Sequence, residues 1–182
     1  MKVIKRRRDK GRSGSGAALT EFAPTLGLLF FLLIPLIDFV IAPIRYLVAA
    51  ELTTELTRKL ALSKKWSEAV SLAETDRWHQ QFAGKWGIGL KEPKLALICS
   101  NESQSVSIPA GQSIPSAWLP NGSNGPCDYL LQVSMDAEIS LFDLGRVGLV
   151  DLREPIQVTL SANSHWENLG RDPDTNQFYI NE

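Results

Sequence analysis

The spacing of apolar residues changes twice along the chain. From Phe22 to Ile37 no charge occurs, and with Asp38 included the apolar run reaches Ile44. That is about 23 residues, roughly 34 Å as helix, enough to cross a bilayer core with modest tilt. Pro24, Pro35 and Pro43 fall in the run. Proline removes a backbone donor and kinks a helix, yet membrane helices tolerate it where neighbours re-satisfy the freed carbonyls. Beyond Arg45 the pattern turns one-sided: Val48, Leu52, Leu56 and Leu60 recur every four residues, and Glu51, Glu55, Arg58 and Lys59 fall elsewhere. A further helix is predicted from about Ser63 to Phe82, with Trp66, Val70, Ala73 and Trp78 as its apolar positions. The glycines of Gly84-Lys85-Trp86-Gly87-Ile88-Gly89 end it.

The second half alternates. Leu95-Ala96-Leu97-Ile98-Cys99 reads as a buried strand, with Ser105 to Ile108 as a short partner. A loop rich in Pro, Gly, Ser and Asn spans Pro109–Pro126. Cys127, Tyr129, Leu131, Val133, Met135, Ala137, Ile139 and Leu141 then alternate with mostly polar residues, and Ile156, Val158, Leu160 and Ala162 repeat the pattern. The expected fold class is therefore α+β, a long N-terminal helix followed by a small domain. In that domain a curved antiparallel sheet packs against the amphipathic helix.

Charge gives the chain a direction. The net charge of -1 over 182 residues hides a split, because residues 1–16 carry seven basic residues against Asp9. The head is thus +6 and the remainder -7. A basic head beside an apolar run marks a cytoplasmic flank, so residues 1–16 are expected inside and residues 46–182 outside. A nucleic-acid-binding arm would need no such span, and no nucleic-acid partner is expected. Cys99 and Cys127 then both lie on the exported side, where an even pair most simply forms a disulfide. Closing that loop of about 28 residues stabilises a fold by roughly 3–4 kcal/mol in the chain-entropy model. Two buried thiols are the alternative.

A search for catalytic chemistry comes up thin. No nucleophile elbow, phosphate-binding loop or metal signature appears, and His79 and His165 neighbour neither each other nor a cysteine. No cofactor, metal or enzymatic activity is expected. Asp172-Pro173-Asp174-Thr175-Asn176 lacks the glycine and closing glutamate of a calcium loop and reads as a solvated turn. Asn101-Glu102-Ser103 and Asn121-Gly122-Ser123 match the glycosylation sequon and fit exposed loops.

The most informative stretch is Gly11-Arg12-Ser13-Gly14-Ser15-Gly16-Ala17-Ala18-Leu19-Thr20-Glu21-Phe22. A carboxylate at the mouth of an apolar segment is costly unless it has water or a cationic partner. Counted from Ala17, Glu21 is the fifth residue and Phe22 the sixth. A basic leader ending in glycine, four residues, Glu-Phe or Glu-Tyr and an apolar helix is the pattern of prepilin-type leaders. The chain resembles the TadE-like minor pseudopilins of the Flp-type (Tad) pilus system. Ile37-Asp38-Phe39 is similar to the acidic-aromatic step at the end of that family's helix, and Ala49-Ala50 to its alanine-rich stretch. Leu56-Thr57-Arg58 lacks the glycine of the family's Gly-Ala-Arg step, and Pro24 and Pro43 are unusual for it. The resemblance covers roughly residues 11–60.

It implies a leader (1–16) cut after Gly16 by a prepilin peptidase, a pilin-type helix (17–62) and an extracytoplasmic α+β domain (63–182). The implied place is the bacterial inner membrane, with the C-terminal domain periplasmic. The implied partners are that peptidase, other minor and major pilins and the inner-membrane assembly platform. Cleavage frees an α-amino group at Ala17, largely cationic at neutral pH. Glu21 of one subunit would pair with the amine of another, worth roughly 4 kcal/mol at 4 Å and an effective dielectric of about 20, before desolvation. Asp38 and Arg45, seven residues apart, are expected as a boundary polar contact between helices. Two other readings stay open. One is a signal-anchored interaction protein that is never processed. The other is a soluble protein released by ordinary signal peptidase after Val48-Ala49-Ala50, against which stand the length of the leader and the charges at Asp38 and Arg45.

Overall fold

A computed structural model describes residues 14–119, 122–124, 127–140 and 154–166, with side chains from Thr20 onward except that of Ile34. Helix α1 spans Gly14–Ala61, 48 residues, and runs through all three prolines without a break. Its residues from Thr20 to Leu36 are exposed wherever described, the pattern of an apolar helix with no inner face of its own. After Arg45 the one-sided stripe becomes an inner face. Leu52, Leu56 and Leu60 are buried, each contributing about 1.5–3 kcal/mol over exposure. Thr53 and Thr57 lie among them, and each buried hydroxyl donates to the carbonyl four residues back, at 2.8 and 2.7 Å.

The chain divides into two compact units, with the boundary between Val40 and Ile41. That is earlier than the expected boundary at 62/63. The reason is packing: Ala49, Leu52, Leu56 and Leu60 belong to the same buried cluster as the strands, so this part of α1 belongs with the sheet.

The helix expected over 63–82 is two helices, α2 (Trp66–Thr75) and α3 (Trp78–Lys85). Asp76 separates them. Its backbone is extended, and its carboxylate both pairs with Lys59 and accepts the Trp78 N–H at 3.4 Å, opening a new helix instead of continuing the old one. Trp66, Ala69 and Ala73 line the inner face of α2.

Among the described residues the sheet has five antiparallel strands: β1 (Ile88–Leu90), β2 (Lys94–Ser100), β3 (Ser105–Pro109), β4 (Asp128–Ile139) and β5 (Ile156–His165). β4 is its spine. One edge pairs with β5 from Leu130↔His165 to Ile139↔Ile156. The other edge is shared, by β2 over Asp128–Ser134 and by β1 over Ala137–Ile139. β3 pairs outside β2. The alternation over β4 holds throughout, with Leu131, Val133, Met135, Ala137 and Ile139 buried. β1 was not expected, because Gly87 before it and Gly89 within it read as punctuation; Gly87 makes a turn at φ 70°. Two tryptophan N–H groups are satisfied within the core, Trp66 to the Gln112 carbonyl at 3.0 Å and Trp166 to the Ser63 carbonyl at 2.8 Å, whereas the buried Trp78 N–H finds no partner among the described residues. Leu141, Asn121 and the acidic turn at 172–176 lie outside the described residues.

Candidate functional site

The processing junction opens α1. Gly16 and Ala17 are helical in backbone, and residues 1–13 of the leader lie outside the described residues. Glu21 and Phe22 are exposed on the first described turns, Phe22 at 61%. The Glu21 carbonyl accepts the Thr25 hydroxyl at 2.8 Å, one turn on. Its carboxylate is followed by an apolar stretch whose described side chains to Leu36 are all exposed. Among the described residues one helix, α1, is long and apolar enough to cross a membrane, as a membrane anchor or a signal sequence would be.

Asp38 and Arg45 both lie on α1. Asp38 is 6% exposed between the exposed Leu36 and Phe39. Arg45 donates from its guanidinium to the Ser140 carbonyl at the end of β4, a role that sequence reasoning missed. The guanidinium also lies against Gly87, where an added Cβ would stand 3.2 Å from an Arg45 nitrogen. A signal for this existed in Gly87 itself, since a glycine with positive φ marks a turn that another group approaches closely.

Cys99 and Cys127 are both thiols in the structure, not the expected bridge. Register supplies the reason. The residue across from Cys99 is Tyr129, which leaves Cys127 just before β4 and diagonal to Cys99 on the same face. Diagonal neighbours stand about 7–8 Å apart, whereas a disulfide needs Cα atoms within about 6.8 Å. The sulfurs are nonetheless close enough to feel each other: burial, aided by Cys127, pushes the Cys99 thiol up to about 12. Burial also raises Cys127, with Asp128 adding to it. The same environment raises Tyr129, whose hydroxyl donates to the Trp118 carbonyl at 2.8 Å.

The outer face of the sheet carries paired charges, not chemistry. Asp136 accepts from Thr159 and Lys94, which together hold its carboxyl low, and Glu138 raises Lys91. A cavity of about 340 Å³ opens beside His79, with Glu74, Arg77 and Glu92 on its polar side and Val70 and Leu95 on its apolar side. Among the described residues no serine, threonine or cysteine lines it. No group of three or more metal-binding side chains occurs among the described residues. Comparison of the chain with protein-family models, with curated proteins and with solved structures finds no match.

Proposed function

We propose that the chain is a minor pseudopilin of a Flp-type (Tad) pilus or a related secretion machine, cut after Gly16 by prepilin peptidase. It is held in the inner membrane by α1, with its sheet-bearing unit on the periplasmic side. The observation that carries this reading is the two-part character of one 48-residue helix. Its first part is apolar and exposed all round, with a lone carboxylate, Glu21, near its start, and its later part has an inner face set into the core of an α+β unit. Such a helix serves two partners in turn: lipid while the subunit waits in the membrane, and the helices of other pilins once it assembles. Glu21 suits both, reaching interfacial water before assembly and the Ala17 amine of a neighbour after it.

Packing also favours this reading over release after Ala50. Ala49 is wholly buried in the core cluster and Arg45 is bonded to Ser140, so that cut would strip both contacts from the unit it frees. N-terminal sequencing of the protein recovered from cells tests the proposal. Ala17 is the expected first residue, and substituting a bulky residue for Gly16 should leave full-length, membrane-held precursor while Gly14 tolerates the same change. A mature protein starting at Met1 or Glu51 would overturn it in favour of the plain anchor or the secreted protein.

A further inference from the structure

Helix α3 has two faces of different kind. His79 and Ala83, four residues apart, are buried. Phe82 and Trp86 are also four apart, so their rings share one flank at the end of the helix, and they are 44% and 46% exposed. Lys85, exposed, stands between them in the last turn.

The position of this flank indicates what covers it. Trp86 leads directly into Gly87, which rests on the Arg45 guanidinium. Arg45 donates to the Ser140 carbonyl, and the Ser140 N–H donates to the Gly87 carbonyl at 3.2 Å, closing a ring of contacts between α1, the α3–β1 turn and the end of β4. Arg45 is also the first cation after the apolar run that ends at Ile44, and Tyr46 and Leu47 beside it are exposed. The turn that bears Phe82, Lys85 and Trp86 is thus fastened to the residue at which the apolar run gives way to charge. Amphipathic aromatic rings settle at headgroup level, where lysine and arginine meet lipid phosphates.

We propose that Phe82, Lys85 and Trp86 form a lipid-contacting foot, which seats the sheet-bearing unit on the phospholipid headgroups of the bilayer that α1 crosses. Arg45 positions the foot through Gly87 and Ser140. The inference rests on α1 spanning a membrane and is independent of leader processing and of pilus assembly. Its occupant is lipid; a second protein on the same flank is the rival.

The test reconstitutes the full chain in vesicles of phosphatidylcholine and phosphatidylglycerol whose acyl chains are brominated just below the headgroups, and reads tryptophan emission. The chain has five tryptophans. Trp66, Trp118 and Trp166 are buried and Trp78 half-buried, which leaves Trp86 as the exposed one. Bromolipid should quench part of the wild-type emission, and that quenching should be lost in Trp86→Phe. Equal quenching in the two proteins would overturn the foot. So would an unquenched Trp86 shielded from aqueous acrylamide, which would assign the flank to a protein. Protease protection of the same vesicles keeps the two readings apart. A chain that fails to insert refutes the span and the foot together, whereas an inserted chain with unquenched Trp86 refutes the foot alone.

Discussion

His79 offers the sharpest test of the interior. It lies wholly buried on the inner face of α3, and neither ring nitrogen has a hydrogen-bond partner among the described residues. Its ring meets Trp78 edge-on with centroids 6.1 Å apart. Burial lowers its pKa from the ordinary 6.5; Asp76 pulls the other way and Lys59 adds to the lowering. Below 6.5 the unfolded chain takes up a proton at this site and the folded chain resists it. The unfolded state then binds more protons, so stability falls as the pH falls. The loss starts near 6.5, reaches at most about 1.4 kcal/mol per pH unit, and ends below the folded value, where both states are protonated. Asp76 does not confuse this window. Its carboxyl is held low chiefly by the Lys59 hydrogen bond, so its contribution is present above the ordinary 3.8 and is lost only as the pH falls below that. His79→Leu removes two unpaired buried nitrogens, a gain of about 1–3 kcal/mol, and forfeits a ring contact worth about 0.5–1.5 kcal/mol. The variant should therefore range from near parity to about 2.5 kcal/mol more stable at pH 7.5, with its advantage growing as the pH drops towards 5. Urea midpoints of the detergent-solubilised full chain, followed by tryptophan emission at pH 7.5, 6.5, 5.5 and 4.5, provide the measurement. Parallel pH profiles for the two proteins would refute a neutral, buried His79.

Four further outcomes are expected. Gly87→Ala should cost about 1–2 kcal/mol, because an L-residue at φ 70° is strained and its Cβ presses on Arg45; an unchanged urea midpoint would contradict this. Cys99 and Cys127 should be recovered from cells as thiols, because the register sets them on a diagonal too wide for a bridge. Without prior reduction Cys127 should alkylate well before the buried Cys99, and one intramolecular bridge found by non-reducing mass spectrometry would overturn the register argument. Glu21→Gln should lower crosslinking to other pilins while leaving the monomer inserted, and acetylating the Ala17 amine should add little to it; full additivity would show that Glu21 acts on something other than the amine. Asp38→Asn should reduce co-purification with partner pilins without affecting cleavage, and equal recovery would remove Asp38 from the assembly contact.

Long repeating patterns were legible in the sequence because they report burial residue by residue. The four-residue stripe from Val48 to Leu60 and the alternation of β4 each state which side faces the core, the apolar run states a helix with no inner face, and the structure keeps all three. The prepilin-like pattern at Gly16, Ala17, Glu21 and Phe22 is carried by local spacing along the chain alone, and the fold adds nothing to it.

Where contacts join residues distant in sequence, the pattern was silent. Apolar period alone does not distinguish one helix over 63–82 from two; the break lies at Asp76, which accepts the Trp78 N–H and pairs with Lys59, seventeen residues earlier. Pairing of Cys99 with Tyr129 and not Cys127 is a matter of register, and alternation names a strand's faces but not its offset against a partner. Arg45 read as a boundary charge until the fold brought it to Gly87 and to Ser140, the latter ninety-five residues away. The isolation of His79 could not be read at all, because a buried nitrogen lacks a partner only through what every surrounding segment fails to offer. The chain alone therefore determined which surfaces must be covered, an apolar helix face and one side of a sheet, since covering follows from composition and period. Tertiary structure decided which residues meet beneath those surfaces, since a contact across the fold depends on where two segments come together and not on either segment's own pattern.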